Sequence, residues 1–97
     1  MRTRYLLCYD VRDERRLRRV GKLAEEFGYR LQYSVFVCDL SQVERSHFQR
    51  RLGDILNLSV DAAVLIDLGP ADHASARRFQ WLSSPPTIPD PLIATIT

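Results

Sequence analysis

A change of hydrophobic period between residues 4 and 27 constrains the fold of this chain more than any other sequence feature. Residues 4–11, RYLLCYDV, predict a strand. From residue 5 onward both of its faces are apolar except at Asp10, which is typical of a central, covered strand. Residues 13–27 then repeat apolar side chains at helical spacing. Asp13 is expected to be the helix N-cap, and Gly28 is expected to end the helix in a left-handed conformation.

Two further segments have the pattern of strands. Residues 30–40, RLQYSVFVCDL, predict one strand, and a bend near Ser34 that divides it into two short strands is the alternative. Residues 60–68 alternate cleanly between apolar and other side chains and predict another strand. Gly69-Pro70 is expected to stop it.

A second helix is predicted between these strands, over residues 41–58. Ser41 and Glu44 have the spacing of a capping box. The apolar stripe of this helix is expected to contain Val43, Phe48, Leu52, Ile55 and Leu56. The resulting order β-α-β-(β)-α-β, with both helices on one face of the sheet, predicts the α/β class in its α+β sandwich form. The arrangement expected is ferredoxin-like βαββαβ.

The end of the chain differs in character from the rest. Four prolines precede a short β-prone segment, LIATIT, at residues 92–97. We therefore divide the chain into a ferredoxin-like domain, residues 1–82, and a proline-rich arm with a C-terminal strand, residues 83–97. A 97-residue chain has a small core, so oligomerisation is expected. We expect the last strand to be exchanged between subunits of a dimer, and closure of the chain's own sheet is the alternative.

Positive charge is concentrated in the first half of the chain. The net charge is +2, but residues 1–51 hold twelve Lys or Arg against seven Asp or Glu, and residues 52–97 hold two against five. All basic residues except Lys22 are arginine, which forms bidentate contacts with phosphate. Nucleic acid is one interpretation, and a solvated helix face is the other. The first helix has a basic flank formed by Arg12, Arg15, Arg19 and Lys22, with Arg16 and Arg18 near it.

The sequence lacks the motifs of several common catalytic, phosphate-binding and zinc sites. The sequence has no glycine-rich phosphate loop, no HExxH or GxSxG, and no Cys/His cluster with zinc spacing. His47 and His73 are interpreted as structural or surface residues. Cys8 and Cys38 are expected to be free thiols rather than a disulfide. No apolar run approaches the ~20 residues of a membrane span, so we expect a cytoplasmic protein with no membrane partner.

Asp10 is the candidate for chemistry because it is the one acid inside the first apolar strand. It could stabilise the start of the first helix, although Asp13 and Glu14 stand closer to that start. A functional acid at the carboxyl end of a central strand is the other interpretation, by analogy with α/β folds. Mg²⁺ takes one or two carboxylates and keeps several waters, and one carboxylate is too little for a hydrolytic site. A symmetric dimer would bring two copies of Asp10 together.

A series of short motifs follows in fixed order along the first half of the chain. They are Tyr9-Asp10-Val11, Asp13-Glu14, Arg16, Arg19-Val20, Gly28-Tyr29-Arg30-Leu31-Gln32 and Ser34-Val35-Phe36. In this order and spacing they resemble the Cas2 family, the small CRISPR-associated adaptation proteins. The resemblance covers residues 4 to about 68, and the tail after Gly69 matches only loosely. Leu17 is a departure, since many relatives have a second consecutive arginine there, and Arg15 or Arg18 is the candidate to compensate.

The resemblance implies a ferredoxin-like homodimer in which Asp10 of both protomers faces a shared cleft and holds Mg²⁺. It implies a metal-dependent endonuclease on RNA or DNA with Asp10 as the catalytic residue. It also implies a spacer-acquisition scaffold that bridges two CRISPR integrase dimers and carries duplex DNA prespacer, with single-stranded RNA as a further partner. A non-catalytic DNA bridge and a toxin-type endoribonuclease are the alternatives. With the basic flank included, the residues expected to bind nucleic acid or shape the site are Tyr9, Arg12, Arg15, Arg16, Arg19, Lys22, Arg30, Gln32, Ser34 and Phe36.

Overall fold

The computed structural model describes residues 1–84 and shows a four-stranded sheet with two long helices on one face. The elements in chain order are β1 (Thr3–Asp10), α1 (Glu14–Phe27), β2 (Gly28–Gln32), β3 (Val35–Leu40), α2 (Gln42–Ile55), β4 (Ala62–Pro70) and α3 (His73–Ala76). The strand order is β2-β3-β1-β4, and every neighbouring pair is antiparallel. The predicted ferredoxin-like α+β arrangement is confirmed. The strand expected at residues 92–97 lies outside the described residues.

The main core fills the space between the sheet and the two long helices. Alternate residues of β1, such as Leu7 and Tyr9, point to this side because successive side chains of a strand face opposite ways. Phe27 of α1 and Phe48 of α2 join the two helices, with ring centroids 4.6 Å apart. The buried cluster comprises Leu7, Tyr9, Val11, Val20, Leu23, Ala24, Phe36, Cys38, Leu40, Phe48 and Leu52.

The segment from residue 30 to residue 40 forms two strands, as the alternative with a bend near Ser34 predicted. β2 and β3 pair as a hairpin whose turn contains Tyr33 and Ser34. The expectation of a left-handed Gly28 was wrong, because its backbone is extended with φ −170°. Glycine is required there for another reason. A Cβ on Gly28 would lie 2.1 Å from the backbone carbonyl oxygen of Val37, which is closer than any side chain allows.

The start of α2 confirms the predicted cap, but its apolar stripe is narrower than predicted. Ser41 and Glu44 form the capping box in both directions. Hydrogen bonds from the Ser41 backbone to Glu44 keep the pKa of this carboxyl below its usual range. Val43 was wrongly placed in the stripe, since it is 79% exposed. Phe48 and Leu52 of the predicted stripe are buried, as expected, and anchor the helix.

The connection from α2 to β4 is a tight turn rather than a continuation of the helix. α2 ends at Ile55, before the predicted residue 58, and the carbonyl oxygen of Asn57 accepts from the N–H groups of Val60 and Asp61. β4 consequently starts at residue 62 instead of residue 60. The expectation that Gly69-Pro70 stops this strand was wrong, because Pro70 still pairs with Thr3 beyond an irregularity in the register.

The sheet face away from the long helices is partly covered by α3. Arg4 of β1 is only 1% exposed, and its guanidinium donates to both carboxylate oxygens of Asp39 at 2.8 Å. Arg4 also donates to the hydroxyl of Ser75 in α3 at 3.1 Å. These contacts fix α3 against this end of the sheet.

The other end of that face carries apolar side chains in contact with solvent. Leu6 and Cys8 of β1 lie opposite Ile66 and Val64 of β4. Val64 is 51% exposed and Ile66 is 42% exposed, while the two β1 residues are half-buried. We call these four residues the open face. Asp10 continues the same row at the end of β1.

Candidate nucleic-acid interface and metal site

Many of the predicted site residues meet at the end of the sheet where β1 finishes. Asp10 is the last residue of β1 and pairs with Ala62, the first residue of β4. The hairpin turn lies beside it, because the Tyr9 N–H donates to the Ser34 carbonyl oxygen at 3.1 Å. α1 begins at the same end, at Glu14. The antiparallel topology therefore gathers β1, the hairpin turn and a helix start at one place.

The Asp10 carboxylate is exposed and is not needed by the fold around it. Its side chain is 69% exposed, and its ion pair within residues 1–84 is with Arg12, whose Nη2 lies 3.6 Å away. An exposed pair of this kind contributes little to stability. The N-cap of α1 is Asp13, which accepts from the Arg16 N–H at 2.9 Å. The interpretation of Asp10 as a helix cap is thereby set aside.

Arg16 is bound by a carboxylate that the sequence did not single out. The side chain of Asp61 is fully buried and accepts from Arg16 Nε at 2.8 Å and Nη2 at 3.1 Å. It also accepts from the backbone N–H groups of Arg12 and Asn57, each at 2.9 Å. The Arg16 hydrogen bond is the main reason that the pKa of Asp61 lies well below its usual range, and the pKa of Arg16 is raised. Asp61 thus fixes the loop that follows Asp10.

Arg30 is held by the hairpin that it belongs to. Its guanidinium lies 4.7 Å from the ring centroid of Phe36 and donates to the Tyr33 carbonyl oxygen. Phe36 is fully buried, and the buried Tyr9 ring stacks on it with centroids 6.3 Å apart. Burial raises the pKa of the Tyr9 hydroxyl, and Arg30 opposes part of this shift. Tyr9 and Phe36 therefore shape this region from within, while Gln32 is exposed at the end of β2.

Four cations of α1 project into solvent. Residues three and four apart on a helix share a face, and these four lie away from the buried Val20 and Ala24. They are exposed and form no ion pair with any residue that the structure describes. We call them the outer basic face: Arg15, Arg18, Arg19 and Lys22.

The outer basic face and Asp10 lie on opposite sides of the sheet. α1 packs on the face that carries Leu7 and Tyr9, and Asp10 points the other way because side chains alternate along β1. The structure therefore does not bring Arg15, Arg19 or Lys22 next to Asp10 within one chain. Within residues 1–84, Arg12 is the predicted cation that forms an ion pair with Asp10.

The donor set of one chain fits part of a Mg²⁺ site. Within the described residues no group of three or more His, Cys, Asp or Glu side chains could hold a metal ion. Asp10 supplies one solvated carboxylate, which is a ligand that hydrated Mg²⁺ accepts. A second copy of the chain would add a second carboxylate of the same kind.

The remaining reactive side chains play no part in this site. Cys8 and Cys38 are free thiols, as expected, and burial raises the pKa of Cys38 to about 12. His47 is exposed on α2, in line with a surface role. Up to residue 84, no helix has both the length and the apolar character that a membrane span requires.

Two residues with a place in this region were missed by the sequence analysis. Asp61 is separated from Arg16 by 45 residues, and only the fold brings the two together. A single sequence contains no pattern that would reveal this pairing. Tyr33 was treated as a strand residue, but it lies in the hairpin turn and is 73% exposed. The bend expected near Ser34 was the one indication of its exposure.

Comparison with known sequences gives consistent matches. The family described as CRISPR associated protein Cas2 matches residues 1–75. A CRISPR-associated endoribonuclease Cas2 from Geobacter sulfurreducens is 36% identical over 73 residues, which cover 75% of this chain and 77% of the relative. A second protein of that name from Synechocystis is 34% identical over 85 residues, covering 88% of this chain and 90% of the relative.

Solved structures agree with the sequence matches. The crystal structure of Streptococcus pyogenes Cas2 has a TM-score of 0.73 and 33% identity, and covers 82% of this chain and 99% of that protein. A hypothetical protein from Thermus thermophilus has a TM-score of 0.77 and 25% identity, with 90% and 98% covered. Together with the motifs around Asp10 and the ferredoxin-like sheet, these matches show that the chain belongs to the Cas2 family of CRISPR-associated proteins.

Proposed function

We propose that this chain is a Mg²⁺-dependent endonuclease on RNA or DNA and a dimeric nucleic-acid-binding scaffold in CRISPR spacer acquisition. The observation that carries the proposal is the exposed Asp10 carboxylate at the end of a central strand, where Asp13 already caps the helix. The names of the relatives, CRISPR-associated endoribonucleases, support the nuclease part.

The open face supports dimerisation. Contiguous exposed apolar side chains on a sheet are unfavourable in water and are typical of a surface that another molecule covers. A two-fold axis beside the open face would place the two Asp10 side chains in one cleft. β4 is an edge strand of the described sheet, so it offers unpaired backbone groups to a strand at residues 92–97 of a second copy.

Each residue near Asp10 has a distinct part in the proposed reaction. Bound Mg²⁺ would lower the pKa of a coordinated water and offset charge on the scissile phosphate. Asp10 of each protomer would supply one carboxylate ligand to the ion. Arg12 lies 3.6 Å from Asp10 and is exposed, so it can contact a phosphate of the strand at the site. Asp61 keeps the Arg12 backbone in place through the hydrogen bond at 2.9 Å.

The outer basic face supports the scaffold part of the proposal. Its four cations are exposed and lie along about two turns of one helix, so they can contact successive phosphates of a duplex. In the proposed assembly the homodimer carries prespacer DNA on this face and joins two CRISPR integrase dimers. A bridge without catalysis is the second candidate, favoured by the separation of this face from Asp10.

The nuclease proposal is tested by Asp10→Asn, with Asp13→Asn as the matched control on the same loop. Both substitutions remove one negative charge, and Asn is as good an N-cap as Asp. Labelled RNA and DNA are incubated with each purified variant, with Mg²⁺ or with a chelator. We expect cleavage by the wild type and by Asp13→Asn in Mg²⁺ only, and loss of cleavage in Asp10→Asn.

Circular dichroism and size measurements on the same preparations check that Asp10→Asn keeps the fold and the dimer. Cleavage by Asp10→Asn at the wild-type rate would refute the assignment of Asp10. Absence of cleavage by all three proteins, together with intact duplex binding, would favour the bridge without catalysis.

A further inference from the structure

A cavity of about 230 Å³ lies between α1 and the turn of the β2–β3 hairpin. Arg18 and Lys22 line it from α1, and Arg30 and Tyr33 line it from the hairpin. It is on the helix side of the sheet and does not include Asp10. The cavity therefore has cations on one wall and an aromatic ring on the other, at a distance from the proposed metal site.

The floor of this cavity is kept open by a glycine. A Cβ on Gly21 would lie 3.0 Å from Nη2 of Arg30 and 3.7 Å from the Tyr9 hydroxyl. A side chain at this helix position would therefore press on the Arg30 guanidinium, which lines the cavity. A glycine inside a helix lowers the free energy of unfolding by about 1 kcal/mol relative to alanine. The open floor of the cavity therefore reduces the stability of the fold.

The aromatic wall is exposed while its backbone is held in place. The Tyr33 side chain is 73% exposed. Its carbonyl oxygen accepts from the Arg30 guanidinium and from the Tyr9 hydroxyl. The Arg30 guanidinium carbon lies 6.0 Å from the centroid of the Tyr33 ring. A planar group that stacks on Tyr33 would thus meet a ring whose turn is already ordered.

The cationic wall is available for an anion. Arg18 and Lys22 are one helical turn apart, both exposed, and neither forms an ion pair within residues 1–84. The acid that lines the cavity, Glu25, is instead 3.7 Å from Arg30. Positive charge next to an exposed aromatic ring is the arrangement that binds unpaired nucleotides, with the base on the ring and the phosphate on the cations.

We propose that this cavity binds an unpaired nucleotide, whose base stacks on Tyr33 and whose phosphate contacts Arg18 and Lys22. The inference rests on the proposed nucleic-acid function and extends it from duplex to single strand. Where the duplex ends, Arg18 and Lys22 of the outer basic face contact the phosphate of the strand that leaves it, while Arg15 and Arg19 remain on the duplex. Stacking on Tyr33 and the phosphate contacts do not involve the 2′-OH that distinguishes RNA from DNA, so both are ligands of this kind.

The test compares a blunt DNA duplex with the same duplex bearing a four-nucleotide single-stranded overhang, as DNA or as RNA. Affinity is measured by fluorescence anisotropy, and stacking is followed by quenching of 2-aminopurine in the overhang. The variants are Tyr33→Ala and Tyr33→Phe, which remove and retain the ring, and Gly21→Ala, which intrudes on the floor. Tyr33 is exposed, so both of its variants are expected to fold, and circular dichroism checks this.

We expect the wild type to bind the overhang duplex at least about fivefold more tightly than the blunt one, the lower end of measured stacking contributions. Tyr33→Ala should lose this preference and the quenching, and Tyr33→Phe should keep both. Gly21→Ala should reduce both. Blunt-duplex affinity should be unchanged in the Tyr33 variants. Overhang preference and quenching that persist in Tyr33→Ala would overturn the inference.

A double variant with Arg15→Glu and Arg19→Glu separates this inference from the proposed function. Loss of blunt-duplex binding in that variant supports the scaffold. The overhang preference of the Tyr33 variants then decides whether the cavity binds an unpaired nucleotide. Wild-type binding to blunt duplex without overhang preference refutes the cavity alone. Overhang binding without blunt-duplex binding refutes the duplex scaffold alone, and no binding to either probe refutes both.

Discussion

Two groups of cations in the first half of the chain differ in what surrounds them. Arg4 and Arg16 are each held in bidentate contact by one carboxylate, Asp39 or Asp61. The outer basic face has no such carboxylate within the part of the chain that the structure describes. The comparison teaches that positive charge alone does not mark a binding surface. A buried or half-buried arginine held by an acid stabilises the fold, and a solvated one remains available to phosphate.

The largest expected effect on stability comes from removing a held arginine. Arg4→Ala leaves Asp39 and the Ser75 hydroxyl without their donor in a region that is largely buried. We expect the free energy of unfolding to fall by about 2–4 kcal/mol, as for other broken pairs of limited exposure. Urea denaturation measures the change. Arg19→Ala is the matched control and should change stability by less than about 0.5 kcal/mol.

Equal losses in the two variants would contradict the division into held and solvated arginines. A larger loss of unfolding free energy in Arg19→Ala than in Arg4→Ala would show that the solvated arginine contributes more to stability than the held one.

The second effect concerns nucleic-acid affinity. Changing both Arg15 and Arg19 to Glu removes two phosphate contacts, so the slope of log affinity against log salt should become shallower by roughly 2. The measurement is duplex binding at several salt concentrations. Arg45→Glu with Arg50→Glu is the control, because both side chains lie on α2 and the change in net charge is the same. An equal change of slope in the control would show that net charge, rather than the outer basic face, governs binding.

The smallest effect is a pH dependence at Asp61. Arg16 lowers the pKa of Asp61 in the folded chain, so its ionised form contributes stability that is present above its unfolded pKa, ~3.9. This contribution is lost as the pH falls through the lower, folded pKa. Asp61→Asn should therefore be less stable than the wild type at pH 7, and the difference should narrow below about pH 4.

Denaturation at pH 7, 5 and 3 checks this dependence. Asp54→Asn is the control, because Asp54 is an exposed acid of α2 and should leave stability nearly unchanged at each pH. A difference between wild type and Asp61→Asn that stays constant across this range would show that the charge of Asp61 is not what Arg16 requires.

The fold was largely predictable because its determinants are local. The apolar alternation of β1, the Asp13 cap and the Ser41-Glu44 capping box each depend on a few neighbouring residues, and all three are confirmed. Two of the errors arose where distant parts of the chain meet. Gly28 is glycine because Val37 lies against it, and Val43 is exposed because α2 rests on the sheet through another face.

The candidate site was predictable in part for the same reason. Asp10 stood out because it interrupts an apolar strand, and the structure shows it exposed as a candidate ligand must be. It was not predictable that Arg16 is held by an acid while its neighbours are solvated, because this depends on Asp61, which lies 45 residues away in the chain. The cavity beside Tyr33 was not predictable either, because it depends on the packing of α1 against a hairpin turn. The spacing of apolar residues predicts which side chains are buried, but it does not predict which polar groups contact each other.

The central claim is that Asp10 is half of a metal site whose other half belongs to a second copy of the chain. The most direct measurement mixes wild-type and Asp10→Asn chains by joint refolding and records Mg²⁺-dependent cleavage against the wild-type fraction. If both copies of Asp10 are required, activity should follow the square of that fraction, so an equal mixture retains about one quarter of the activity. Activity that falls in direct proportion, with about one half retained, would contradict a shared site.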